Sequence, residues 1–190
     1  MASEKKAPSI ISCRFMSSNY QVYLGLGSNL NNPHRQITTA INHISRLANT
    51  RIIKTAPLYQ TKAWGMTNQA DFINTVIAIQ TALKPLALLK KIKHIEYRLM
   101  ARQKTQRWHS RCIDIDILYY VQHAMQRPQL QLPHPYMQQR CFVLRPLLAT
   151  NPTQLPLVVR RSMTLKKSCC GPLRPQRNPL ENNKIQQMSG

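Results

Sequence analysis

Asp71-Phe72-Ile73-Asn74-Thr75-Val76-Ile77-Ala78-Ile79-Gln80-Thr81 is the clearest strand in the chain, and its alternation decides the fold. Successive side chains of a strand point to opposite faces. Ile73, Thr75, Ile77 and Ile79 therefore share one face, and Phe72, Asn74, Val76 and Ala78 share the other. The isoleucine face belongs to a core. On the opposite face, an aromatic ring beside an amide suits a flat heterocycle, stacked by the ring and hydrogen-bonded by the amide. The plainer alternative is a Phe in a minor core with Asn at a bulge.

Towards the N-terminus, Gln21 to Leu26 alternates as a strand and enters a turn at Gly27-Ser28-Asn29. Asn32-Pro33 supplies an N-cap and a first-turn proline. With Ile37, Ala40, Ile41, Ile44 and Leu47 at helical spacing, it predicts a helix over 33–48. Arg51 to Thr61 is rich in β-branched and aromatic residues and reads as strand, and Lys62 to Ala70 reads as loop. Towards the C-terminus, Pro85 opens a second helix carrying Leu88, Leu89, Ile92, Ile95 and Leu99, followed by a basic loop over 101–112. Residues 113–120 form the last strand of the pattern. Strand, helix, strand, strand, helix, strand predicts an α+β, ferredoxin-like βαββαβ sandwich. Its antiparallel sheet carries helices packed on one face and leaves the other free to bind.

That last strand, Ile113-Asp114-Ile115-Asp116-Ile117-Leu118-Tyr119-Tyr120, sets its isoleucines on one face and both aspartates on the other. The chain of 190 residues has 6 acidic residues against 27 Lys and Arg, a formal charge of +21. Two carboxylates kept together in such a background, behind Arg107-Trp108-His109-Ser110-Arg111, suit a metal seat for a phosphorylated substrate. The plain alternative is an edge strand with two solvated Asp.

The length fits one domain with a real core, and no apolar run approaches the ~20 residues of a membrane span. Residues 1–18 carry Lys5, Lys6 and Arg14 around a short apolar patch too brief for a secretory signal. They read as a disordered extension, with Met16 a natural start for the folded part. Residues 19–150 form the domain, and 151–190 a basic, atypical, poorly ordered tail without periodicity. The five cysteines contain no C-x-x-C and read as reduced thiols. A cytoplasmic location follows. Strong positive charge attracts nucleic acid, phospholipid or phosphate-bearing small molecules without choosing among them.

Several short motifs follow one another in order. They are Gly27-Ser28-Asn29-Leu30, Tyr59-Gln60-Thr61, Gln69-Ala70-Asp71-Phe72-Ile73-Asn74, Ile95-Glu96, Arg107-Trp108, Arg111-Cys112-Ile113-Asp114-Ile115-Asp116, Leu132-Pro133-His134-Pro135 and Arg140-Cys141-Phe142-Val143-Leu144. Each alone is weak; the ordered set, over about residues 20–150, resembles the 6-hydroxymethyl-7,8-dihydropterin pyrophosphokinases of folate biosynthesis. The resemblance implies transfer of pyrophosphate from ATP to the pterin hydroxymethyl group with release of AMP. It implies that Asp114 and Asp116 hold two Mg²⁺ ions, and that Arg111 joins them in catalysis. Arg102, Lys104, Arg107, Trp108, Arg111, His134, Arg140 and Glu96 would lie on the ATP side, Trp108 in a loop that closes over the site. Phe72 and Phe142 would sandwich the pterin, Asn74 would read its edge, and Thr61 would sit in the strand end that lends backbone contacts. The implied partners are these small molecules, with no membrane or nucleic acid required. The chain would act as a monomer, with contacts to neighbouring folate-pathway enzymes conceivable.

The sequence also departs from the family pattern. Met100-Ala101-Arg102-Gln103-Lys104 stands where G-R-x-R is usual, and His109-Ser110 replaces Gly-Pro. Two other readings share the βαββαβ order: a catalytically weakened family member, and a basic single-stranded-RNA-binding module. The RNA reading lacks the clustered sheet aromatics such modules use, and the Asp114-Ile115-Asp116 strand would repel phosphate without metal.

Overall fold

A computed structural model of the chain describes residues 19–62, 69–102, 110–152, Leu155, Val159 and 175–176. In chain order the elements are β1 (Tyr20–Ser28), α1 (Pro33–Ser45), β2 (Thr50–Thr55), β3 (Leu58–Thr61), β4 (Phe72–Thr81) and α2 (Pro85–His94). They continue with β5 (Asp114–Tyr120), β6 (Met125–Arg127), β7 (Leu130–Leu132), α3 (Cys141–Ala149) and β8 (Pro175–Gln176). The main sheet is antiparallel, in the order β5-β1-β4-β3-β8 with β2 also on β4. The expected βαββαβ path is therefore present, with the second strand divided.

That division has a local cause. Pro57 has no N–H for the ladder, and β2 is already displaced by an irregularity between Ile52 and Lys54. Ala56 bridges the break, donating its N–H to the Val76 carbonyl at 2.9 Å and accepting the Thr75 hydroxyl at 2.9 Å. The first helix starts where expected, with Asn32 accepting the Arg35 N–H at 3.2 Å. It ends at Ser45 rather than near 48, because the chain turns through a left-handed Asn49.

The second helix also departs from expectation. After His94 it widens into a π-helical turn, Ile95–Leu99, closed by the Met100 N–H on the Ile95 carbonyl at 2.9 Å. Such turns break the 3.6-residue register. Here it buries the adjacent side chains Ile95 and Glu96 together.

Leu24, Ile73, Ile77, Ile79, Ile115 and Ile117 face α1 and α2 in the main core. The opposite face is not left open along its length. Tyr23, Val76, Ala78 and Leu118 form a second apolar layer, too large to expose, under α3 residues Val143, Leu144 and Leu147. Leu155 and Val159 from the C-terminal segment join that layer, and β8 extends the β3 edge. The expected loop after β5 contains a hairpin, β6–β7. Cys112 is a free thiol as expected, but Cys141 is disulfide-bonded, which corrects the reading of uniformly reduced cysteines.

Candidate active site

The second face stays open at one end, and β1 is the reason. In the sheet register Gly27 lies between Asn74 on β4 and Asp114 on β5, and Gly25 lies between Val76 and Asp116. Two residues without side chains make a low floor with walls on either side. A Cβ at Gly27 would meet Asn74 Oδ1 at 2.7 Å, and one at Gly25 would meet the Leu118 side chain at 3.3 Å. Glycine is needed here for close approach rather than for backbone freedom.

One wall is aromatic and neutral. Phe72, Asn74 and Thr61 line it from β4 and β3, with Phe142 from the start of α3. Asn74 is buried and donates to the Thr61 hydroxyl at 2.8 Å, which fixes its amide. The other wall is charged and holds Asp114, Asp116, Arg111 and Arg140. Asp114 accepts from Arg111 at 2.6 Å and from Arg102 at 2.8 Å, while Arg140 stands 3.9 Å from Asp116. The Arg140 guanidinium also packs over the Phe142 ring at 5.7 Å, joining the two walls.

Burial in the cleft, then the like charge of Asp114, pushes the Asp116 carboxyl up to about 6, against the pull of Lys93 and Arg140. The two carboxylates share this wall with three arginines, Arg102, Arg111 and Arg140. Among the described residues no group of three or more His, Cys, Asp or Glu converges on a metal position. The protein offers two hard carboxylates and leaves other positions to a ligand. That donor set fits Mg²⁺, which binds through one or two carboxylates plus substrate phosphates.

Eight of the expected residues meet in this cleft: Thr61, Phe72, Asn74, Arg111, Asp114, Asp116, Arg140 and Phe142. Arg102 reaches its edge through Asp114. His134 is fastened beside β5 by its N–H on the Leu118 carbonyl at 2.8 Å. Burial, then Arg140, lowers its imidazole to about 4, so it is neutral near pH 7. Glu96, expected on the ATP side, sits beneath the cleft and not in it. It is fully buried, accepting from Lys93 at 2.6 Å, from Arg102 at 2.5 Å and from the Ile115 N–H at 2.8 Å. Lys104, Arg107 and Trp108 lie outside the described residues.

Sequence reasoning missed four contributors. Gly25 and Gly27 act by what they lack, and only the strand register reveals it. Lys62 lines the cleft and pairs with Asp71 at 3.5 Å. Lys93, three residues before Glu96, carried a detectable signal in that spacing.

Comparison with known proteins bears on this arrangement. The model of the 7,8-dihydro-6-hydroxymethylpterin-pyrophosphokinase (HPPK) family matches residues 23–152. The 2-amino-4-hydroxy-6-hydroxymethyldihydropteridine pyrophosphokinase of Aquifex aeolicus is 37% identical over 156 residues, 78% of this chain and 96% of that protein. The Haemophilus influenzae protein of the same name is 41% identical over 125 residues, 66% of this chain and 78% of its own. Among solved structures, Plasmodium falciparum HPPK-DHPS superposes with a TM-score of 0.59 at 18% identity over 79% of this chain, a likeness of fold. The chain spans 46% of that longer protein.

Proposed function

The chain belongs to the 7,8-dihydro-6-hydroxymethylpterin-pyrophosphokinase family, and from that premise we propose that its cleft transfers pyrophosphate from ATP to 6-hydroxymethyl-7,8-dihydropterin in folate biosynthesis. The pterin oxygen bonds to the β-phosphorus of ATP, the bond from that phosphorus to the α-phosphate oxygen breaks, AMP leaves, and the hydroxyl proton is lost. One observation carries the reading: a neutral aromatic wall and a charged wall face each other across a glycine floor.

Each wall has its task. Phe72 and Phe142 stack the pterin, and Asn74, held by Thr61, meets its hydrogen-bonding edge. Arg111 and Arg140 draw the triphosphate across the floor so that the hydroxymethyl group and β-phosphorus meet in line. Asp114 and Asp116 would hold Mg²⁺, and two ions are the proposal. When bound, the metal neutralises charge on the triphosphate and the departing AMP. No carboxylate or imidazole among the described residues stands alone as a strong base, so positioning and electrostatics carry the rate. Neutral His134 contributes hydrogen bonding rather than charge. The chain is proposed to work as a cytoplasmic monomer on soluble substrates. Among the described residues no helix is long and apolar enough to cross a membrane.

The test is AMP release from ATP with and without the pterin. Mg²⁺-dependent AMP in equal amount to pterin pyrophosphate is expected, and its loss in Asp114→Ala and in Asp116→Ala. AMP that forms equally without pterin would refute the proposal.

A further inference from the structure

Beside the cleft, at the end of β1, one buried amide ties together two segments far apart in sequence. Asn29 is 4% exposed. Its Nδ2 donates to the Ala70 carbonyl at 3.2 Å, to Ser110 Oγ at 3.1 Å and towards Gln69 Oε1 at 3.5 Å. Its Oδ1 accepts the Arg111 N–H at 2.8 Å, and its own N–H donates to the Arg111 carbonyl at 3.2 Å. Ser110 Oγ donates to Gln69 Oε1 at 3.1 Å and closes the triangle.

Both ends of these contacts lead into the cleft. Gln69-Ala70 runs directly into Phe72 and Asn74 on the pterin wall, and Ser110-Arg111 runs into Asp114 and Asp116 on the phosphate wall. The Ala70 carbonyl can only accept and the Arg111 N–H can only donate, so the tie needs one side chain offering both. Asp supplies only the acceptor. The Ser110 hydroxyl stands where the family pattern has Pro, so this corner of the tie belongs to this chain.

We propose that Asn29 is a positioning residue that couples the two halves of the cleft, so that the nucleotide's hold on Arg111 sets the strand that bears Phe72 and Asn74. The inference rests on the functional reading above and adds a quantity to it. Binding of either substrate should strengthen binding of the other by the same factor, as linkage requires.

The experiment measures the Kd of 6-hydroxymethylpterin by calorimetry on the full chain, with and without a non-hydrolysable ATP analogue and Mg²⁺. About tenfold tightening is expected in the unmodified chain, within the usual range of coupling between sites. Asn29→Asp keeps the bond to the Arg111 N–H and loses the donations to Ala70, Gln69 and Ser110. Ser110→Ala removes one corner and keeps the fold even if Asn29→Asp does not. Both should bring the factor towards one, Asn29→Asp further, with the single-ligand Kd values moving by less than about threefold. An unchanged factor in both variants, or no tightening in the unmodified chain, overturns the coupling alone. A chain that binds neither ligand and releases no AMP overturns the functional reading, and the coupling with it.

Discussion

At the scale of single residues, two positions show how the cleft trades stability for chemistry. Asp116 keeps 38% of its side-chain surface open to the cleft, yet its carboxyl is raised to about 6 from its usual 3.8. The folded state therefore binds this proton more tightly than the unfolded chain does. Stability from that difference is fully present below about pH 4 and is lost as pH rises through 6. Asp116→Asn should thus raise the Tm of the metal-free protein at pH 7.5 while activity disappears. About 2–4 °C is expected, the shift that roughly 1 kcal/mol produces at this chain length once solvent screening is discounted. At pH 4 the two proteins should melt together, and a gain that persists there would contradict the cause. Gly27 is the second position. Its added Cβ would push on Asn74 Oδ1, on the amide whose Nδ2 donates to Thr61. Gly27→Ala should weaken the pterin by roughly tenfold, as losing one or two well-aligned hydrogen bonds would, with little change for the nucleotide. Equal losses for both ligands would show that the floor collapses as a whole.

At the scale of elements, the π-helical turn after α2 and the edge of β5 explain each other. Among the described strands β5 lies at the sheet edge beside β1, so its outer backbone groups need partners outside the ladder. The widened turn brings Glu96 to the Ile115 N–H, and the same carboxylate collects Lys93 and Arg102. Arg102 continues to Asp114, so the turn holds both the strand and the charge on its aspartates. Glu96→Ala should cost about 3 kcal/mol in urea unfolding, the low end for breaking a buried ion pair, because half-exposed Lys93 can turn to water. Glu96→Gln should recover part of this by still accepting from Ile115, and a silent Ala variant would remove the strut. This region also marks how far the sequence could be read. Alternation in β4 and β5 exposed the sheet, both faces and the aspartate pair, because a period of two is a strictly local property. The π-turn left no such trace: Leu99 kept the helical spacing on paper and is exposed in the fold. The α3 layer was hidden for another reason. Its partners Tyr23, Val76, Ala78 and Leu118 come from three strands, and an apolar patch assembled across strands has no sequence period.

For the whole molecule, charge is the organising quantity. Among the described residues the carboxylates are Asp71, Glu96, Asp114 and Asp116, and all of them lie in, under or at the rim of the cleft. The helices α1 and α2 contain no acidic residue at all, while Arg35, Lys90 and Lys91 stand exposed on them. Among the described residues the surface is therefore positive, with a mixed patch at the cleft. A net charge of +21 draws any phosphate towards it, and that attraction decays over about 10 Å at 0.1 M salt. Attraction alone does not discriminate, since Asp114 and Asp116 oppose a bare triphosphate in the cleft while α1 and α2 carry no carboxylate to oppose it. Mg²⁺ held by Asp114 and Asp116 would offset their charge and favour the triphosphate in the cleft. The pterin is neutral and feels none of this field. Raising salt from 0.05 to 0.3 M should accordingly raise the KM for MgATP severalfold while leaving that for the pterin and the kcat nearly unchanged. Steady-state kinetics with each substrate varied in turn would measure both. Parallel changes in the two KM values would mean that salt acts on the fold and not on the approach of the nucleotide, and that the surface charge has no part in substrate capture.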